Sequence, residues 1–253
     1  MRFNAPDFGD DMLRFSGIGE VIMYRTHDRI AAPADYSPEA MAETRDVLMR
    51  CAELGWTVQI HVHQREFFLK LLDLFEEINE VHPITDLPWS FVHAESTYLG
   101  DADRLKKLGC GLLFQSLLRY NGEYAIDAWG AETVSHSPEL TDLLAAGVPI
   151  GLGSDAMRVA SYNPFSSIQW FLTGLTIRGG RTLADRYLLD REQALRGYSR
   201  DTAWFTREEG LRGELVPGQL ADLAVLTEDY FEIPVERIHT LSSVLTMVGG
   251  EIV

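Results

Sequence analysis

Short apolar runs separated by amphipathic stretches, with a period near that of a βα unit, constrain this chain more than anything else in its sequence. The runs are "GIGEVIMY" (17–24), "WTVQIHV" (56–62), "WSFVHA" (89–94), "GLLFQ" (111–115) and "PIGLGSD" (149–155). Each is rich in β-branched, aromatic or leucine residues and short enough to read as a strand. Between them, "SPEAMAETRDVLMRCAELG" opens with Ser37 as a helix cap, Pro38 at the first helical position and Glu39 in the first turn, and stops at Gly55. "REFFLKLLDLFEEINEV" sets Phe67, Phe68, Leu71, Leu72 and Phe75 at helical spacing. "DADRLKKLG" is a shorter helix, and "SPELTDLLAAG" repeats the Ser-Pro start and glycine stop. Nearly continuous apolar strands alternating with helices are parallel strands covered by helices and joined by right-handed crossovers. The expected class is α/β.

After Asp155 the pattern changes. Two helical segments, "NPFSSIQWFLTGLTIRG" and "DREQALRGYSRDTAWF", precede the strand-like "ADLAVL", "SVLTMV" and "EIV". Gly249-Gly250 between the last two is a two-residue hairpin signal. The expected division is therefore residues 1–210 as the α/β part and 211–253 as strands of a small β element. "RTHDRIAAPADY" and "RYNGEYAIDAWGAETVSH" read as loops that follow strands.

Charge excludes some functions. With 22 Lys and Arg against 38 Asp and Glu, a net charge of -16 does not suit a phosphate-tracking surface. No run approaches the roughly 18 to 20 apolar residues of a membrane span, and "MRFNAPDFGDD" has neither a basic nor an apolar leader segment, so the expectation is a cytoplasmic chain without nucleic-acid or membrane partners. Cys51 and Cys110 cannot make a disulfide framework; both lie in burying patterns and read as reduced packing residues.

The chemistry is expected where strands end. In a (β/α) barrel, reactive groups project from the carboxyl ends of strands. His61 ends the second run, His93 the third and Asp155 the fifth, with 32 and 62 residues between successive members, or about one and two βα units. Two imidazoles and a carboxylate suit a Zn²⁺-like ion, which lowers the pKa of a bound water to near 7, so hydrolysis is the natural chemistry. A single strand histidine is more often a hydrogen-bonded structural residue, and Asp155 could instead cap the helix that follows it. Three such residues at one topological level bring the two readings level. His63, two residues beyond His61, points to the same side of an ideal strand and could chelate with it. His27, His82, His136 and His239 sit in polar or turn contexts and read as surface residues.

Taken together and in this order, "GIGE", "GWTVQIH", "FVHAES", "GSDAMRVASYNPF" and "LVPGQLADLAVLTEDYF" resemble the amidohydrolase superfamily, in the branch of large metal-dependent hydrolases. The resemblance implies a metal-bearing (β/α)8 barrel with a small β-sandwich. His61 resembles the family's histidine on strand five, His93 that on strand six, and Asp155 the aspartate on strand eight, which is also the family's general base. Glu20 stands near the position of a bridging ligand on strand four. On this alignment His63 becomes a rim residue or substrate contact, with Tyr120 and Arg158 as further pocket candidates; Tyr124 and Trp129 are also near.

The first strands of the family barrel, with their His-x-His pair, have no counterpart. The resemblance thus implies a partial TIM-type barrel, about strands 4–8, followed by sandwich strands. The chain is expected to be the carboxyl-terminal half of a longer hydrolase acting on non-peptide carbon–nitrogen bonds of small amide-type substrates. The full-length enzyme is expected to hold one or two divalent ions, Zn²⁺ by preference; the chain alone, without the His-x-His pair, is expected to bind metal weakly or not at all and to lack activity. With strand edges open, it is also expected to associate as a homo-oligomer or with the missing amino-terminal half. The competing expectation is a non-catalytic regulatory protein on a degenerate barrel.

Overall fold

The computed structural model describes residues 5–10, 12–157 and 159–253. A short antiparallel ladder of β1 (Phe8–Gly9) and β2 (Arg14–Phe15) leads into β3 (Ile18–Glu20), the first strand of the main sheet. There follow α1 (Pro38–Glu53), β4 (Val58–Val62), α2 (Arg65–Val81), β5 (Ser90–His93), α3 (Ala102–Leu108) and β6 (Gly111–Gln115). Three helices, α4 (Leu117–Trp129), α5 (Ala131–Ser135) and α6 (Leu140–Ala145), separate β6 from β7 (Ile150–Gly153). After α7 (Pro164–Thr173) and α8 (Arg191–Gly197), the chain ends in β8 (Leu223–Leu226), β9 (Ser243–Val248) and β10 (Glu251–Ile252).

Among the described residues, β3 to β7 form one all-parallel sheet in sequence order, and β10-β9-β8 form a separate antiparallel sheet. The architecture is α/β, a partial TIM-like barrel followed by antiparallel strands, as the resemblance implied. Helix termini follow the sequence signals. The Ser37 side chain accepts the Ala40 N–H with Pro38 in the first turn, and Asn163 accepts the Phe165 N–H ahead of Pro164. Gly249 and Gly250 both adopt positive φ in the tight turn from β9 to β10, which residues with a side chain resist.

One face of the parallel sheet carries the main core. Val58, Ile60 and Val62 of β4, Phe91 of β5, Leu112 and Phe114 of β6, and Ile150 and Leu152 of β7 pack against Phe67, Phe68, Leu71 and Phe75 of α2 and the other helices. The alternate residues form the inner face. There Val92 and Leu113 are covered by Phe205 and Trp204 from the 3-10 turn Asp201–Thr206. Gly111 and Gly151 make this possible: a Cβ at either would stand 2.6 or 2.8 Å from the Phe205 ring. The lower half of the inner face is thus filled by Phe205, and the upper half, at the strand carboxyl ends, is left for polar residues.

Two expectations are corrected. "RYNGEYAIDAWGAETVSH" is not a loop but mostly α4 and α5; Gly122 lowered its helical signal, yet it sits where a Cβ would meet the methyls of Thr182 and Thr176 at 2.4 and 2.5 Å. The Ser137-Pro138 pair does not start a helix, because α6 begins at Leu140 and the Ser137 hydroxyl donates to the Glu95 carbonyl instead. Cys51 and Cys110 are both buried, and burial raises both thiols above their ordinary pKa, Cys51 to about 11. Among the described residues no helix is long and apolar enough to cross a membrane.

Candidate metal centre

Three imidazoles meet at the carboxyl ends of β4 and β5. Donor nitrogens of His61, His63 and His93 all lie within 4.8 Å of one another, and all three residues are buried. His61 and His63 reach the inner face by strand alternation, on either side of Val62, which points into the core. His93 cannot do so by alternation. It pairs in register with Val62, and its neighbour Val92 already occupies the inner face. Instead its φ of 72°, followed by 49° at Ala94, turns the backbone into the left-handed region, and the ring comes to lie 4.6 Å from that of His63 and 4.7 Å from that of His61. Such a conformation costs about 1–3 kcal/mol and persists only where the surroundings impose it, often at functional sites.

Carboxylates surround the cluster. Asp28, fully buried, accepts the backbone N–H groups of His63 at 3.0 Å and Gln64 at 2.6 Å. Its Oδ1 lies 3.2 Å from His61 Nε2, which also meets the Asp28 carbonyl at 2.9 Å. With Nε2 so engaged, Nδ1 is the nitrogen of His61 left to bind; it faces Glu20 Oε1 at 3.4 Å and has no hydrogen bond. Glu95 plays the matching part for His63, meeting its Nδ1 at 2.7 Å and leaving Nε2 free. Glu20 Oε1 also stands 3.7 Å from His93 Nε2.

The charges answer one another. Burial depresses the His61 pKa, but the facing Asp28 and Glu20 carboxylates outweigh it and raise the group to about 9. Glu20 is held well below the usual carboxylate range by His61 and then His93. Burial pushes the Glu95 carboxyl up, and the His63 imidazole beside it more than reverses that. Asp155, by contrast, is raised by burial.

Glu20, His61, His63, His93 and Asp155 line one cavity of about 300 Å³, with Tyr124 at its edge. A concave site lined by the Glu20, Asp28 and Asp155 carboxylates, with three imidazoles and Glu95 behind His63, favours a cation. The residues present thus fit a divalent metal ion.

The structure redistributes several expected roles. His61, His93, Asp155 and Glu20 come together around one cavity. His63 is not a rim residue: it is only 5 % exposed and belongs to the triple itself. His27 is not on the surface either; it is half-buried, its ring centroid is 4.0 Å from that of His61, and burial, then the neighbouring His61, lowers its pKa. Tyr120 turns away from the cavity, its hydroxyl 2.9 Å from that of Ser166. Non-helical dihedrals at Asn121 kink α4 just after it, so Tyr124 rather than Tyr120 faces the site. Trp129 packs on the core, and Arg158 lies outside the described residues.

Comparison with known proteins agrees with this geometry. A model of the Amidohydrolase family matches residues 11–253. The chain belongs to the amidohydrolase family. N-substituted formamide deformylase of Arthrobacter pascens is 24% identical over 211 residues, covering 83% of this chain and 38% of that protein. An uncharacterized metal-dependent hydrolase from Pyrococcus horikoshii shares the fold with a TM-score of 0.71 at 19% identity, over 92% of this chain and 48% of that one. One from Pyrococcus furiosus gives 0.71 at 20% identity, over 91% and 48%. The chain spans about half the length of the two solved hydrolases and less than half that of the deformylase.

Proposed function

We propose that this chain forms the metal-binding half of a hydrolase that cleaves a non-peptide carbon–nitrogen bond in a small amide-type substrate. The observation that carries the reading is the buried histidine triple at the strand carboxyl ends, backed by carboxylates and open to a cavity shared with Asp155. The name of the formamide deformylase relative supports the choice of bond. A divalent ion held there, Zn²⁺ by preference, would polarise the scissile carbonyl and lower the pKa of water.

The chain's own residues supply the rest. Asp155 faces the cavity with its carboxyl raised by burial, which suits a group that takes a proton from the attacking water and returns it to the leaving nitrogen. Glu20 and the carboxylates behind the histidines keep the site negative. Tyr124 and Val159 border the space where a substrate side group would lie. The outer edges of β3 and β7 remain for the other half of a barrel or for a second copy of the chain.

The test is hydrolysis of N-substituted formamides and related amides by Zn²⁺-loaded protein, run on the chain itself and on the longest natural polypeptide that contains it. The longer form should release amine, the chain alone should fall below detection, and Asp155→Asn should lower kcat by about 10²–10⁴. Equal rates with and without Asp155→Asn would sink the assignment; absence of bound metal in every form would favour a non-catalytic role.

A further inference from the structure

We propose that His63 is a third nitrogen ligand, oriented by Glu95, so that β4 and β5 hold a divalent ion through histidines alone and Asp155 is left free for proton transfer. The inference rests on the metal-dependent reading above and deepens it.

Three observations carry it. First, donor atoms of His61, His63 and His93 fall within 4.8 Å of one another, and Asp155 is not part of that group. Second, His61 of β4 and His63 just after it each have one nitrogen engaged: His61 Nε2 at the Asp28 carbonyl, 2.9 Å away, and His63 Nδ1 at Glu95 Oε2, 2.7 Å away. A carboxylate or carbonyl behind an imidazole fixes its tautomer and ring plane and strengthens it as a ligand. Third, this backing is itself buried and held. Glu95 is 2 % exposed, its carbonyl takes the Ser137 hydroxyl, and Ser96 Oγ donates to the His63 carbonyl at 2.7 Å, tying the segment after β5 to the end of β4.

A histidine with only a packing role does not need a buried carboxylate; placing Glu95 there costs desolvation that a ligand role offsets. The other Glu95 oxygen, Oε1, is buried without a hydrogen-bond partner, so the carboxylate is committed to His63. Nothing comparable backs Asp155: no hydrogen bond reaches its carboxylate among the described residues, and it is only half-buried. It is built to move a proton rather than to be held still.

The experiment titrates the chain with Co²⁺ and with Zn²⁺, reading metal content by elemental analysis and the Co²⁺ visible absorption, with far-UV circular dichroism to verify folding. The unaltered chain and Asp155→Asn should each bind one equivalent with the same spectrum. His63→Gln should weaken binding at least tenfold and change the absorption. Glu95→Ala should weaken it by about 10–100-fold, while Glu95→Gln, which can still accept from Nδ1, should restore most of it. Unchanged affinity and spectrum in folded His63→Gln would overturn the role of His63 and leave the hydrolase reading standing. No binding by the unaltered chain would overturn both.

Discussion

The carboxyl ends of β4 and β5 and the antiparallel sheet β10-β9-β8 are both built from aliphatic-rich strands, yet they are buried to opposite degrees. Every residue of β5 is buried, and of β4 only Gln59 is partly exposed. In the antiparallel sheet no residue is buried: Val225 is 48 %, Val244 65 % and Ile252 69 % exposed. Between that sheet and the rest lies a cavity of about 670 Å³ bordered by Phe165, Leu195, Leu223 and Leu226. The difference lies in the second layer. β4 and β5 have α1, α2 and α3 on one face and Phe205 with the Asp28 loop on the other, so a polar cluster can be locked there. The terminal sheet has hydrogen-bonded strands but, among the described residues, no layer on its outer face, and backbone pairing alone fixes little. The site is therefore expected to be rigid and the terminal sheet soft.

The largest effect should come from the layer beneath the site. Phe75 is fully buried, its ring 4.9 Å from both Trp89 and Phe91. Phe75→Ala should cost about 3–5 kcal/mol, read as a lowered denaturation midpoint at constant slope. A loss below about 1 kcal/mol would mean that α2 packs too loosely to hold the histidines. Next comes Asp28→Ala, which strands the His63 and Gln64 N–H groups away from water. It should cost about 2–4 kcal/mol and also weaken Zn²⁺ binding by about 10–100-fold. Asp28→Asn keeps one acceptor and should lose less stability, so calorimetry on the pair separates the acceptor role from the charge.

These residues also mark how far the sequence could be read. β4 to β7 and α2 were legible because continuous apolar runs and a clean helical period each point to one structure; α2 spans the expected 65–81. α4 was not, because Gly122 and the kink at Asn121 interrupt its period, and Gly122 answers to distant partners, Thr176 and Thr182. His61, His93 and Asp155 were legible as strand-end residues. His63 was legible as a chelating partner by its spacing, whereas the family alignment assigns it to the rim. A signal was available: Glu95 follows His93 by two residues as His63 follows His61, and the register Val62 with His93 brings the segment after β5 alongside the end of β4. Nothing local marks Asp28, which reaches the site only because the segment after β3 folds back across β4. The turn of His93 into the inner face is likewise invisible, since alternation assigns it to the core.

A smaller effect should follow from loosening the segment that carries Glu95. Arg65 at the start of α2 grips Asp101 through two hydrogen bonds of 2.5 and 2.9 Å, donates to the Ser96 carbonyl at 3.1 Å and lies over the Tyr98 ring. Asp101 is buried but Arg65 is about a third exposed, so Arg65→Leu should cost about 2 kcal/mol, less than a fully buried pair. Because that segment also places Glu95, hydrogen exchange at residues 94–101 should quicken more than at β6. Uniform quickening across the parallel sheet would instead make Arg65 a global support and blur the contrast between the two regions.

The smallest effect tests the other side of the comparison. Val244, on β9, is 65 % exposed, so Val244→Thr keeps its β-branched shape while removing apolar surface that water already reaches. Stability should change by no more than about 0.5 kcal/mol, and β9 amides should exchange well before those of β4. A measured loss above about 1.5 kcal/mol would mean that the outer face of β9 is covered in solution, because only a buried methyl carries such a cost. Sedimentation of the same sample would then separate the sources. A concentration-dependent mass that Val244→Thr abolishes points to a second copy of the chain lying on that face, and the terminal sheet would be soft only when alone. A monomer with the same loss would place the cover within the chain and break the comparison outright.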